Sequence, residues 1–528
     1  MKLRIRRHFP LLLLLALVSA FFTLALGEQR IIAYTVAGRS DLLPPGYDFT
    51  SGVNIFDDSL VHSIEIIMDE ADYQQMLTTY QQTGIKEYFH ADVIIDGTQV
   101  SNVGIRLKGN SSLRTAVGGR GGMQLGGAGR GFWNQDGGNP PQMGRNRPER
   151  LPGEGQMPDM ENMPTPQPGE PSDRENMPEA PQGQLFDPQQ MPFETPDSAQ
   201  TSKSLIPYLI KFDQFVEGQT YQGQSLLAIR TYGSSYNEAM LQEPVTNAFF
   251  QAMGLPAART AYTGVQLNGA AERLYVLSEV IDQTYLEQHF DNASGVLYKA
   301  ELGSTLSYQG EDPSAYASSF TQQTRKNSAD LAPLIEFIRF LSETDDATFE
   351  SELPDRFDVD AFATYLAINN LLVNTDSIAG MNNNYYLYYD DQAARFTLLM
   401  WDANESFGKL NFGGGGLSAA THGLYDTGGG RGAGPGGMGG SNTLVTRFLG
   451  NATFKTLYEQ KLKEVYQEAF VNGAITAKVD QYASMIRAAN PQRPLVDIQA
   501  YDQAAAALLD FVEQRQQYLA STPLLGQP

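Results

Sequence analysis

Apolar positions along the chain alternate at strand period in some stretches and recur at helical period in others, and turn residues punctuate them. Val61 to Ile66 alternates as a strand, and Asp69 to Tyr80 reads as a helix. Tyr88 to Ile95 and Val103 to Leu107 read as strands with Asp96-Gly97 as the hairpin turn between them. Leu205 to Asp213 is a further strand and carries Lys211. Helical periodicity runs from Ala239 to Met253, with Glu243 in its first half and Gly254 as the stop. Thr260 to Leu267 and Leu274 to Val280 form another pair of strands around Asn268-Gly269. Helices follow at Ala329 to Leu341 and Asp358 to Val373, the second with Asp358 as N-cap, and Asn442 to Tyr518 is largely helical.

The stretch from Asn374 to Gly408 holds the most chemistry. Two β-rich runs, Tyr385 to Tyr389 and Phe396 to Trp401, flank the polar turn Asp390 to Ala394 and read as a hairpin. With the turn centred on Gln392–Ala393, antiparallel pairing places Asn383 across from Asp402 and Asn384 across from Trp401. Cross-strand partners have Cβ atoms about 4.5–5.5 Å apart, so an amide and a carboxylate meet at one end of the hairpin, beside the loop carrying Asp376. Mg²⁺ takes hard oxygen ligands and keeps several waters. One carboxylate, one amide oxygen and phosphate oxygens suit it, and a second carboxylate nearby is placed to orient a nucleophile. The ordinary alternative is that Asp and Asn at strand ends serve turn chemistry alone.

Composition narrows the field. The 528 residues carry a formal net charge of −23. That acidity disfavours nucleic acid as a partner, because such affinity comes largely from Lys and Arg on phosphates. Cys is absent, which excludes disulfides, thiolate metal sites and a Cys nucleophile. The five His are scattered without metal-ligand spacing, and no Ser-His-Asp arrangement can be built from them. Residues 1–27 combine a basic start with the apolar run Leu11 to Leu26, the pattern of a signal peptide or an N-terminal anchor, so the rest is expected outside the cytoplasm, with membrane contact only through that segment if it is uncleaved. Ala116 to Gln200 is dense in Gly, Pro, Gln, Asn and Met and reads as a disordered insertion. It interrupts an N-terminal region spanning 53–300. A helical region, 301–528, contains the hairpin 374–408 and a Gly-rich loop, 413–440.

The pieces RLKGNSS, YLIKFD, the helix around Glu243, NNNYYLYY and LLMWDANESFG stand in the order seen in the CotH (spore-coat protein H) family, which this chain resembles. The resemblance implies an atypical secreted protein kinase. The fold it implies is α+β, a divergent two-lobed kinase-like architecture with a mainly antiparallel N-lobe and a helical C-lobe. It also implies ATP and Mg²⁺ (or Mn²⁺), with transfer to Ser or Thr of a protein rich in those residues, or of the chain itself. On this resemblance Asp376 is the catalytic-loop Asp, Asn384 the metal-binding Asn with Asn383 as the near alternative, and Asp402 the metal-binding Asp. Lys211 is the strand Lys on the phosphates, Glu243 its helix partner, and Lys108 and Asn110 lie near the phosphate-covering turn. Three departures stand out: the insertion after Leu113, the Gly-rich insertion that follows Gly408, and Asn404 where family members commonly carry a second Asp. They keep a second expectation open, a weakly active or inactive binding or structural protein of the surface or envelope on a kinase-like scaffold.

Overall fold

The computed structural model describes residues 47–109, 113, 117, 206–231, 239–326, 328, 330–409, 419–426 and 441–526. The leader, Asn110, nearly all of the 116–200 insertion and most of the Gly-rich loop lie outside the described residues.

The elements run β1 (Asp48–Phe49), β2 (Val61–Ile67), α1 (Glu70–Thr83), β3 (Phe89–Ile95), β4 (Thr98–Leu107), β5 (Tyr208–Lys211), β6 (Thr220–Tyr221), β7 (Leu226–Arg230), α2 (Gln242–Ala252), β8 (Thr260–Leu267), β9 (Arg273–Ser278), α3 (Gln283–His289), β10 (Val296–Ala300) and β11 (Phe320–Gln322). They continue with α4 (Ala332–Glu343), α5 (Asp346–Arg356), α6 (Val359–Leu371), β12 (Tyr385–Asp390), β13 (Arg395–Met400), α7 (Thr443–Gly450), α8 (Ala452–Tyr466), α9 (Ala474–Ala489) and α10 (Ile498–Ala520). The protein is therefore mixed α+β.

Local chemistry explains much of this. Asp96-Gly97 and Asn268-Gly269 all have positive φ, as a two-residue hairpin turn of matching twist requires. Asp69, Asp345 and Asp358 accept a backbone N–H at the starts of α1, α5 and α6. Alternation in β2 and β3 turns Ile64, Ile66, Val93 and Ile95 inward. β8 and β9 are buried almost throughout, because one face meets that interior and the other meets the helical half.

The expected antiparallel sheet is there, but it closes on itself. Strands β2-β3-β4-β5-β7-β9-β8 form a barrel. Its closing junction is the parallel pair β2–β8, with Val61 opposite Tyr262. A second sheet, ordered β11-β10-β12-β13, is antiparallel. One apolar core runs from the outer side of β8 and β9 through α2 into the helices, and the described residues from Asp48 onward form one compact unit. Among the described residues no helix is long and apolar enough to cross a membrane.

At the ends of β4 and β5 the Lys108 N–H donates to the Pro207 carbonyl at 2.9 Å, so the chain leaves and re-enters the barrel at one point. Replacing residues 116–200 by a short Gly/Ser linker is accordingly expected to leave the melting temperature nearly unchanged. A drop of many degrees in a calorimetric scan would overturn this composition argument.

Candidate active site

The hairpin forms with the expected register. Tyr385 pairs with Met400 and Asp390 with Arg395, which centres the turn on Gln392–Ala393. The Trp401 N–H then donates to the Asn384 carbonyl at 3.1 Å. The loop before the hairpin is tight. Met381 N–H donates to Thr375 O at 3.1 Å, and a Cβ on Gly380 would stand 1.9 Å from that same oxygen. This closure brings Asp376 back onto the asparagines. Asn383 Nδ2 donates to Asp376 Oδ1 at 2.9 Å, and Asn384 Nδ2 to Asp376 Oδ2 at 2.8 Å. Asn384 Nδ2 also lies 3.4 Å from the Asp402 carbonyl. Asn384 and Asp402 both have positive φ, 55° and 54°, backbone conformations uncommon for residues with a side chain.

A cation that reaches this cluster is Arg230, the last residue of β7. Its Nε is 3.1 Å from Glu243 Oε2 on α2, and its Nη2 bonds Asp402 Oδ1. Arg230 is 8% exposed and Glu243 1%, so the pair is largely withdrawn from water. The expected partnership of Lys211 with Glu243 is therefore corrected: the ion pair of Lys211 is with Asp213, at 3.9 Å and partly exposed. Register is the reason. β5 and β7 run antiparallel with Lys211 opposite Leu226, which places Lys211 and Arg230 at opposite ends of the two strands. Leu226–Arg230 is not among the strands that the pattern predicts. Its signal was a short apolar run ending in Arg just upstream of the Glu243 helix.

Lys108 Nζ and the Arg230 guanidinium both lie over the Trp401 ring, 5.1 and 5.2 Å from its centroid. Lys108 is thus brought to the cluster and Lys211 is not, while Asn110 is outside the described residues. Glu405 acts on Asp376 through its charge and is 3.9 Å from Lys409.

Burial is the main force on the Asp376 carboxyl and raises it to about 7. The charges of Asp402 and Glu405 push the same way, and the Asn383 and Asn384 amides pull against them. A proton acceptor poised near neutrality is what general-base chemistry asks for. Asn384, with its Nδ2 committed to Asp376, offers its Oδ1, and Asp402 offers Oδ2 beside the oxygen held by Arg230. That hard-oxygen pair fits Mg²⁺ or Mn²⁺, whose remaining ligands would be phosphate and water. A cavity of about 520 Å³ lined by Phe56, Gln222, Arg259 and Gln288 shares no residue with this cluster, so its size does not locate the chemistry.

In this α+β protein a buried strand–helix ion pair thus converges on paired carboxylates and amides. The chain belongs to the CotH kinase protein family, whose sequence model matches residues 198–519. It is similar to the inner spore coat protein H of Bacillus subtilis (strain 168), at 22% identity over 312 residues, which covers 58% of this chain and 80% of that protein. The family match begins just before β5, so β1 to β4 and Lys108 lie outside it.

Removing one partner of a buried pair leaves the other charge uncompensated. Arg230→Met is expected to cost about 3–5 kcal/mol in denaturant unfolding, whereas Lys211→Met should change stability by less than about 1 kcal/mol. Equal losses would refute the Arg230 assignment. In the metal-free protein, ¹³C-carboxyl NMR should find Asp376 half-protonated near pH 7. Because this carboxyl is raised in the fold, its contribution to stability is greatest below the ordinary Asp range and declines as pH rises through about 7. Asp402→Asn should lower the midpoint, and a wild-type midpoint below about 5 would contradict this account of the site.

Proposed function

We propose that the chain is an extracytoplasmic protein kinase that transfers the γ-phosphoryl group of ATP to Ser or Thr hydroxyls, on a divergent two-lobed kinase-like scaffold. The carrying observation is the Arg230 bridge from Glu243 to Asp402, set beside an Asp376 carboxylate gripped by Asn383 and Asn384. Protein kinases require a strand cation paired with a helix Glu and a metal-binding Asp in place together. The element order supports the same reading: β7, α2, β8, β9 and α3, then α6, the Asp376 loop, β12, β13 and Asp402. On it Arg230, and not Lys211, takes the part of the strand cation.

In the transfer, the acceptor oxygen forms a bond to the γ-phosphorus while the bond from that phosphorus to the β,γ-bridging oxygen breaks, and ADP leaves. The hydroxyl proton passes to the Asp376 carboxylate, which its surroundings make willing to hold it. Arg230 and Lys108 supply fixed positive charge on the phosphate side. Asn384 and Asp402 would hold Mg²⁺ or Mn²⁺, which neutralises phosphate charge when bound. The acceptor is a Ser/Thr-rich protein or the chain itself. The leader pattern of residues 1–27 and the coat location in the relative's name support an envelope or surface setting.

The test incubates the purified chain with labelled ATP and Mg²⁺ or Mn²⁺, alone and with Ser/Thr-rich acceptors. Asp376→Asn keeps the side chain's size and removes its charge. Phosphate incorporation should fall by about 10²–10⁴-fold while ATP binding survives. Unchanged transfer would remove Asp376 from the mechanism. Wild type that binds ATP with metal yet never transfers phosphate would favour a binding protein on the same scaffold.

A further inference from the structure

Arg515, on α10, is 0% exposed and ranks among the largest fully buried side chains. Its hydrogen bonds among the described residues all go to backbone carbonyls. Nε donates to Leu371 O at 3.1 Å and Nη2 to Asn370 O at 3.1 Å. Nη1 donates to Ala420 O at 3.0 Å and to His422 O at 2.5 Å. The first two acceptors belong to the last turn of α6, at the negative end of the helix dipole, and Asn370 O also accepts the Val373 N–H at 3.1 Å. The next two carbonyls are also taken from outside the helix: Phe407 N–H donates to Leu372 O at 2.6 Å, and Gly408 N–H to Val373 O at 3.2 Å. Four consecutive carbonyls, 370 to 373, are thus held by α10 and by the segment that follows Asp402. Val373 turns out of the helix with φ 51°, and Asp376 lies three residues on.

We infer that Arg515 is a positioning residue for the Asp376 loop: its guanidinium clamps the end of α6 to the 419–422 segment and so sets where Asp376 stands against Asn383, Asn384 and Asp402. A point charge cannot replace it, because the planar fork serves four acceptors in different directions at once. Burial lowers the Arg515 pKa to about 10, so the guanidinium is still charged at neutral pH. The inference concerns the catalytic geometry and rests on the kinase reading, yet the clamp itself can be measured without activity.

The test compares wild type with Arg515→Lys and Arg515→Met in the full chain, by transfer kinetics and by hydrogen exchange. A misplacement of about 1 Å can cost roughly 10²-fold in rate. The expected result is a kcat at least tenfold lower in both variants with KM for ATP within twofold. Amides of residues 372–384 and 419–426 should exchange faster while β3 to β5 keep wild-type protection. A kcat within twofold of wild type overturns the inference. So does exchange that rises equally through α4 to α10, which would make Arg515 a general support of the helical half. If wild type transfers no phosphate the kinase reading fails, and the exchange pattern alone decides whether Arg515 positions the loop. If Arg515→Met does not fold, Arg515→Lys carries both measurements.

Discussion

The guanidinium of Arg230, sunk between Glu243 and Asp402, is the interaction on which the candidate site depends. Withdrawing these charges from water costs several kcal/mol per ion, and only close, hydrogen-bonded geometry offsets it. Such a contact is weak evidence for stability but strong evidence for register. It can form only if β7 ends at the right place in the barrel, if α2 presents its first turn to that end, and if β13 releases the chain at Asp402. Asp402 and Asn384 both hold φ values that side chains disfavour, so the surrounding contacts over-determine the backbone there.

Charge is distributed to the same end. The chain is strongly acidic overall, yet Arg230 and Lys108 gather over the face of Trp401 immediately before Asp402. The charges of Asp402 and Glu405 are close enough to Asp376 for repulsion to add to burial in raising it. An arrangement that sets carboxylates against one another sacrifices stability, and it is the sort of compromise that functional sites carry.

The helical half contributes more than a floor for this cluster. α10, the last helix, reaches back through Arg515 to the helix that feeds Asp376, and the family match extends to residue 519, just past that contact. The loop is thereby held from both sides: by asparagines of the hairpin on its own carboxylate, and by α10 on the helix end behind it.

What the chain's order of residues determined was local. The hairpin of β12 and β13 was legible to the residue, because turn position alone sets antiparallel register. The Asp-Gly and Asn-Gly turns and the Asp358 cap were legible because their chemistry lies within a few residues. The approach of the Asp376 loop to the hairpin end was legible too, but there Asn384 lies against the Asp402 backbone carbonyl, and the carboxylate of Asp402 goes to Arg230. Distant pairings were not legible. Closing the barrel joins Val61 to Tyr262, and no local pattern specifies a parallel pair across such a span. The choice between Lys211 and Arg230 as the partner of Glu243 turned on which strand end faces α2; both are basic residues at strand ends, and β7 is too short and too buried to alternate. Arg515 looked like any helix arginine until its helix packed, because only tertiary structure decides which backbone carbonyls remain to be satisfied where a buried charge arrives.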